Sequence, residues 1–328
     1  MKKLGYIVPY FGTLPQNFQL WLTSCATNPT VDWLLFTDDH RQFDYPGNVR
    51  VKYCTFDEIK ARFQRHFDFN IQISSPWYLS LFKPAYGEIF KEELKEYEFW
   101  GHCDVDVLWG DIRKFITDQV FDKYDRIGFQ GHSLIYRNNN DVNARYKIIV
   151  EGIPSYKEIF SGKSRWSFDE NGMNEIYKFL GLDYYKEPTF AHLAKYEYGF
   201  FLKHQPKEFD YKNFRQIFEW NAGTLYRHYV YKEQLYTEEF MYIHFFCRPM
   251  KYLEDSHTLY SRYIIYPDFV KDFEGDITVE LVEQLGKKSA ISYYVTSIWA
   301  NRKKLTLKKV WFNVKRMLLN KLGKRSAK

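Results

Sequence analysis

An α/β fold is what this sequence predicts. Strand-like and helix-like segments alternate from Leu4 to Phe115, the pattern of a sheet whose crossovers are helical. The chain has 328 residues, 45% of them hydrophobic, enough to bury a sizeable core as one large domain or two modest ones. No internal repeat and no low-complexity linker interrupts it, which excludes solenoids and strings of small modules.

Taken in order, LGYIVPYF (Leu4–Phe11) reads as the first strand, with a helix near Gln16–Ala26 after it. DWLLFTDD (Asp32–Asp39) and VRVKYCTF (Val49–Phe56) follow as strands. In SPWYLSLFKPAYGEIFKEELKEY, Leu81, Ala85, Ile89 and Leu94 recur at helical spacing. Pro84 is expected near the first turn of that helix, where its missing N–H does least harm. The run FWGHCDVDVLWGDIRKF (Phe99–Phe115) supplies the next strand. From DRIGFQGHSLIYRNN onward the pattern is mixed, with a helix expected over Ala144–Ser161 and strands in IFEWNAGTLYRHYVY and FMYIHFFC. A separate helical region is expected from Glu274.

Composition narrows the function classes. Aromatic residues reach 20%, with 28 Tyr and 29 Phe; such rings pack against the C–H faces of sugars, although large aromatic cores use them too. The four cysteines form no CxxC pair, so neither a zinc site nor a disulfide framework is indicated and a reducing cytoplasm fits. The basic start MKK resembles a signal peptide, but GTLPQNFQ breaks the apolar run, so a strand, turn and helix are expected there instead. No apolar run of about 18 residues suggests a membrane span. The net charge of +6 belongs to the end of the chain: from Arg302 to Lys328 there are 11 Lys and Arg with no acid, leaving 36 basic against 41 acidic residues before it. A nucleic-acid-binding body is therefore not expected.

The residues that call for an explanation are Asp104 and Asp106. Alternation along CDVDVLWGD would turn both to one side at the end of a strand. Two like charges in an apolar run need a cation or a donor. Hard oxygen ligands suit Mg²⁺ or Mn²⁺, which also take a substrate phosphate, and the carboxyl end of a strand in an open α/β sheet is where such folds bind ligands. Taken alone, a D-x-D tripeptide is usually a solvated loop.

In order along residues 4–250, these motifs resemble the GT-A type of nucleotide-sugar glycosyltransferase, as found among bacterial capsule, O-antigen and surface-polysaccharide enzymes. The resemblance implies a Rossmann-like, mixed central sheet flanked by helices, with a helical basic C-terminal extension. It divides the chain into a glycosyltransferase domain over 1–273, with its nucleotide-sugar half about 1–115 and its acceptor half about 116–273, and a helical region over 274–328. The starts YIVPYF and LLFTDD imply that Pro9, Tyr10, Asp38 and Asp39 approach the base and ribose. Lys83, in LFKPAYGEIF, corresponds to a basic residue near the donor and reads equally as a solvated helix charge. MYIHFFCRPMK resembles the late segment that completes the metal site: His244 is then the third ligand beside Asp104 and Asp106, with Arg248 and Lys251 on the diphosphate. Asp104 either shares the metal or holds the ribose. A lone His on an aromatic strand is otherwise a core residue, and the glycine-containing HxxGxxK of some relatives is absent here. QGHSLIYRNN and RWSFDENGM fall where the family binds acceptor, which marks His132, Arg137 and Trp166 as acceptor contacts and Asp169 or Glu170 as the proton acceptor. SFDENG reads as well as a surface turn with a helix N-cap.

The expected activity is metal-dependent transfer of a sugar from a nucleotide diphosphate donor, UDP-linked, to a surface-polysaccharide or lipid-linked glycan, with Mn²⁺ or Mg²⁺ as cofactor. Two rivals are a catalytically degenerate carbohydrate-binding protein of the same fold and a metal-dependent phosphohydrolase or nucleotidyltransferase. The second rival would call for more metal ligands or a glycine-rich phosphate loop, which VPYFGTLPQ is not. In the tail, Leu307, Val310, Trp311, Val314, Met317, Leu318 and Leu322 fall on one helical face and Lys308, Lys309, Lys315 and Arg316 toward the other. This basic amphipathic helix either docks on an anionic membrane, placing a cytoplasmic protein at the inner face of the cell membrane, or packs on the domain.

Overall fold

The computed structural model describes residues 1–164, 166–193, 200, 202–203, 215–246, 250–252, 261–267 and 269–286. Its centre is a six-stranded mixed sheet built from β1 (Leu4–Pro9), β2 (Val31–Thr37), β3 (Val49–Tyr53), β4 (Phe99–Cys103), β6 (Arg126–Gln130) and β7 (Ser133–Arg137), in the order β3-β2-β1-β4-β7-β6. β3, β2, β1 and β4 run parallel, and β7 pairs antiparallel with β4 and with β6. β1 and β2 are apolar on both sides because both faces are covered. Helix α1 (Phe18–Ala26) brings Phe18, Trp21 and Leu22 to one face, against Tyr6 and Trp33. Phe82, Tyr86 and Phe90 cover the other face, against Ile7 and Trp100. Helix α2 (Phe56–His66) starts at a capping box in which the Thr55 hydroxyl accepts from Glu58 N and the Glu58 carboxylate accepts from Thr55 N.

Two further sheets carry the second half. A four-stranded sheet orders β5 (Val107–Trp109), β13 (Tyr242–His244), β8 (Phe190–Leu193) and β9 (Leu202–Lys203). A six-stranded sheet contains β10 (Arg215–Asn221), β11 (Thr224–Tyr231), β12 (Gln234–Phe240), β14 (Lys251–Tyr252), β15 (Arg262–Tyr266) and β16 (Phe269–Asp272), ordered β12-β11-β10-β15-β16-β14. The two-residue turn between β10 and β11 holds Ala222 and Gly223 at φ of 46° and 95°, as tight hairpins require. A Cβ at Gly223 would meet Thr27 at 2.7 Å, so this hairpin also seats against α1's end.

Several expectations change. The run around Leu81 is a 3-10 helix over Pro76–Ala85, then short α turns at Tyr86–Ile89 and Lys91–Leu94. Pro76, not Pro84, occupies its first turn, and the interior Pro84 removes an N–H that a continuous α-helix would need. The helix expected over Ala144–Ser161 is broken into Asn140–Ala144 and Tyr156–Phe160. Gly152 at φ 85° and Pro154 interrupt it, and Ser155 starts the second piece with its own capping box. After Glu274, the helix Val279–Leu285 is not separate: it packs Val282 against Ile217, Val230 and Ile264 of the third sheet. The basic tail lies outside the described residues.

Candidate active site

β4 ends at Cys103, and Asp104–Val105–Asp106 form the bend that carries the chain from the central sheet into β5 of the second. The pair therefore sits just past the carboxyl end of a parallel strand, in a turn and not within the strand. Backbone bonds hold the bend on both sides: Asp104 N donates to His132 O at 3.0 Å, and Phe245 N donates to Asp106 O at 2.9 Å. β13 lies between β5 and β8, which brings His244 opposite Val107 and beside His192.

A cavity of about 720 Å³ opens here, running from Pro9 and Tyr10 at the end of β1, past Lys83, to Asp104, Asp106 and His244. His244 is buried, and its Nε2 lies 3.2 Å from Asp106 Oδ1 and 3.9 Å from Asp104 Oδ2. One ligand atom from each of the three falls within 4.8 Å of the others. Ligands bound to one ion at roughly 2.1 Å stand about 3 to 4 Å apart, so two carboxylates and an imidazole at these distances fit a divalent cation.

Lys83 is buried, not a solvated helix charge. Its Nζ donates to Asp104 Oδ1 and to Gly131 O, both at 2.7 Å, and lies 3.8 Å from Asp169 Oδ2. Burial opposes its charge, but Asp104 and Asp169 outweigh that and raise its pKa. One Asp104 oxygen is thus committed to Lys83 while the other faces His244. Asp169 is pushed up to about 6, first by burial and then by Glu170 and Asp104 against the pull of Lys83. Gly131 N donates to Glu170 Oε1 at 2.7 Å. Only glycine fits there, because a Cβ at Gly131 would stand 2.2 Å from Asp169 Oδ2. The described residues lining the cavity include one lysine, Lys83, and four carboxylates, Asp104, Asp106, Asp169 and Glu170.

The structure therefore gathers Pro9, Tyr10, Lys83, Asp104, Asp106, His132, Asp169, Glu170 and His244 around one cavity. Other sequence candidates are not among its lining residues. Asp38 accepts from Gly12 N at 2.7 Å, and Asp39 accepts from Leu14 N at 2.8 Å while paired with Arg41. Both brace the loop after β1, and the Arg41 guanidinium, with the Leu14 and Arg41 N–H groups, holds Asp39 well below the usual carboxylate range despite its desolvation. Arg137 lies at the far end of β7, bonded to Asp125 and Phe121 O, because a four-residue offset along a strand spans about 13 Å. Trp166 packs part-buried against the core. Lys251 is exposed on β14 with its Nζ over the Phe269 ring. Arg248 lies outside the described residues.

Of the lining residues that the sequence did not single out, two bear on the chemistry. His192, in FAHL, carries the same weak signal as His244, a histidine inside an apolar strand. Trp77 stands at the cavity with 61% of its surface exposed.

Among solved structures, the chain is similar to a galactosyltransferase, LgtC, solved with donor and acceptor sugar analogs: 12% identity over 58% of this chain and 75% of that one, TM-score 0.31. It is also similar to the glycosyltransferase GlyE of Streptococcus pneumoniae TIGR4, at 9% over 58% of this chain and 46% of that one, TM-score 0.31. Mouse xyloside xylosyltransferase 1 matches at 10% over 60% and 88%, with the same TM-score of 0.31. No curated protein matches. A family model does match over residues 6–274, and the chain belongs to that family, the family of unknown function DUF6625.

Proposed function

We propose that this protein is a metal-dependent glycosyltransferase of the GT-A kind, moving a sugar from a UDP-linked donor to a surface-polysaccharide or lipid-linked glycan. The observation that carries the reading is the convergence of Asp104, Asp106 and His244 within 4.8 Å, beside a cavity that begins at the end of β1. Among the described residues, four carboxylates against one lysine disfavour a bare diphosphate in that cavity. A bound Mn²⁺ or Mg²⁺ supplies the positive charge and the Lewis acidity that a departing diphosphate needs. Asp104, Asp106 and His244 hold the ion, and Lys83 keeps the Asp104 carboxylate turned toward it. Pro9 and Tyr10 wall the nucleotide end. Asp169, with its raised pKa, is a stronger base than an ordinary aspartate and is matched to taking a proton from an acceptor hydroxyl; Glu170, tied to Gly131 N, shapes the same wall. Trp77 offers the exposed ring on which an acceptor sugar stacks, the part the sequence had suggested for Trp166. The tail over 302–328 supports attachment to an anionic leaflet at the cytoplasmic face by its charge and its apolar stripe.

Product analysis tests the reading. Incubated with UDP-sugars and Mn²⁺, the protein should release UDP together with a glycoside or free sugar, and EDTA should stop it. Free phosphate or a nucleotide-linked product would instead establish a phosphohydrolase or nucleotidyltransferase.

A further inference from the structure

We propose that His192 is a positioning residue for metal binding: it holds the His244 ring in the tautomer whose Nε2 lone pair faces Asp104 and Asp106. This deepens the metal-dependent reading and rests on it. β8 and β13 run parallel and in register, with His192 directly beside His244. Their ring centroids are 4.9 Å apart and their Nδ1 atoms 3.0 Å apart. At that separation one nitrogen carries a hydrogen and the other a lone pair. His244 turns its other nitrogen, Nε2, to Asp106 Oδ1 at 3.2 Å and Asp104 Oδ2 at 3.9 Å.

A cation among these groups requires the Nε2 lone pair, so the His244 hydrogen must sit on Nδ1. Nδ1–H then donates to His192 Nδ1, and His192 carries its own hydrogen on Nε2. In the cation-free arrangement the bonds reverse: His244 Nε2–H donates to Asp106, and His192 Nδ1–H donates to His244. Between the two, the hydrogen shared by the Nδ1 atoms crosses from His192 to His244. Solvent takes one proton from His244 Nε2 and returns one to His192 Nε2, so none is gained or lost overall. Both rings are buried, at 4% and 5% exposure, where a His244 N–H without an acceptor would be costly. His132 confines the pair: its ring lies 4.3 Å from His244 and 4.9 Å from His192, and its Nδ1 is bonded to the Tyr242 hydroxyl at 2.9 Å. The three histidines also bring ligand atoms within 4.8 Å of one another, so a cation held by imidazoles alone is the rival arrangement.

Mn²⁺ titration of the full chain, read from the free-ion EPR signal, separates these cases. Phenylalanine keeps a ring without an acceptor, whereas asparagine keeps an acceptor oxygen. His192→Phe and His192→Ala should weaken Mn²⁺ binding roughly 10- to 100-fold, the range for lost outer-shell partners, and His192→Asn should recover most of it. Unchanged affinity in His192→Phe, or equal loss in His192→Asn and His192→Phe at equal melting temperature, overturns the proposal. Asp106→Asn should abolish binding; retained binding in that variant, with loss in His132→Ala and His192→Ala, places the ion among the imidazoles and overturns it as well. A wild-type protein that binds no Mn²⁺ at all fails at the earlier step and removes the metal-dependent reading itself.

Discussion

The Asp104–Asp106–His244 cluster and the Glu219–His228–Arg262 cluster of the third sheet both set carboxylate against imidazole, the first with a second carboxylate at the cavity and the other with a guanidinium. In the third sheet Glu219 Oε2 lies 2.6 Å from His228 Nε2, Glu219 Oε1 accepts from Arg262 Nε at 2.5 Å, and His228 Nδ1 meets the Thr237 hydroxyl at 2.9 Å. Burial disfavours the Glu219 charge, and His228 and Arg262 more than restore it, lowering the pKa. Each carboxylate oxygen there has its own cation or imidazole. At the cavity, one lysine takes one oxygen of Asp104, and the other oxygen and Asp106 converge with the His244 imidazole at 3.9 and 3.2 Å. A closed cluster contributes to stability and specificity of folding; two carboxylates gathered with one imidazole at a cavity wall suit a divalent cation.

The sharpest way to break this comparison is to neutralise one acid from each cluster. Asp106→Asn should lower transfer on the order of 10³-fold, since it removes a charge that acts at the reacting diphosphate, while melting within about 2 °C of wild type. Full activity in this variant would end the metal mechanism. Glu219→Gln should do the opposite. It leaves Arg262 without its counter-charge, and a cost of about 2–3 kcal/mol is expected in urea unfolding with Mn²⁺ affinity unchanged. Equal stability in Glu219→Gln would mean that the third-sheet cluster is not closed after all.

A pH series sharpens the same contrast with two other carboxylates. Glu88 is lowered to about 2 from 4.5: burial works against it, but His66, Lys147 and Tyr146 prevail. A depressed carboxylate contributes stability above its unfolded pKa and loses it as pH falls from 4.5 through 2, so Glu88→Gln should flatten acid unfolding in that window. After discounting for its partial exposure, the effect is about 1–2 kcal/mol. Asp169 has the reverse sign. Its pKa is raised from 3.8 to about 6, so in EDTA the wild type should lose stability as pH rises from 3.8 through 6, and Asp169→Asn should remove that slope. A slope that survives Asp169→Asn would assign it to another group.

The smallest effect separates the two tryptophans. Trp77→Ala should raise the acceptor KM about tenfold, near 1.4 kcal/mol, with kcat and melting temperature little changed. Trp166→Ala should instead lower stability, because that ring packs against the core. An unchanged acceptor KM in Trp77→Ala removes the stacking role.

Local signals explain which parts were legible beforehand. LGYIVP and VDWLLFT read as strands because both are largely apolar, and Thr55 with Glu58 marks a helix start that forms as a capping box. Where two tendencies conflict over a few residues, the pattern misleads: Leu81 to Leu94 has helical spacing, yet Pro84 sits inside it and the segment resolves into a 3-10 run and two short turns. In the site, D-x-D announced itself because adjacent acids in an apolar run demand a partner. His244 required the resemblance to stand out, and His192 lacked even that.

What the sequence determined by itself is the alternating α/β pattern, the exceptional acid pair and the concentration of positive charge in the last 27 residues. These depend on neighbours along the chain, where periodicity and desolvation act. What only the tertiary structure decided is which polar groups meet. Asp38 and Asp39 stand side by side in LLFTDD much as Asp104 and Asp106 do in CDVDV, yet they bond to backbone N–H groups of the loop over 12–14, and Asp39 to Arg41 as well. Lys83 comes to Asp104 across 21 residues, and His192 to His244 across 52. Hydrogen bonds and ion pairs act over a few ångströms, and the register of β8 against β13 sets such distances without leaving any periodic trace in either strand.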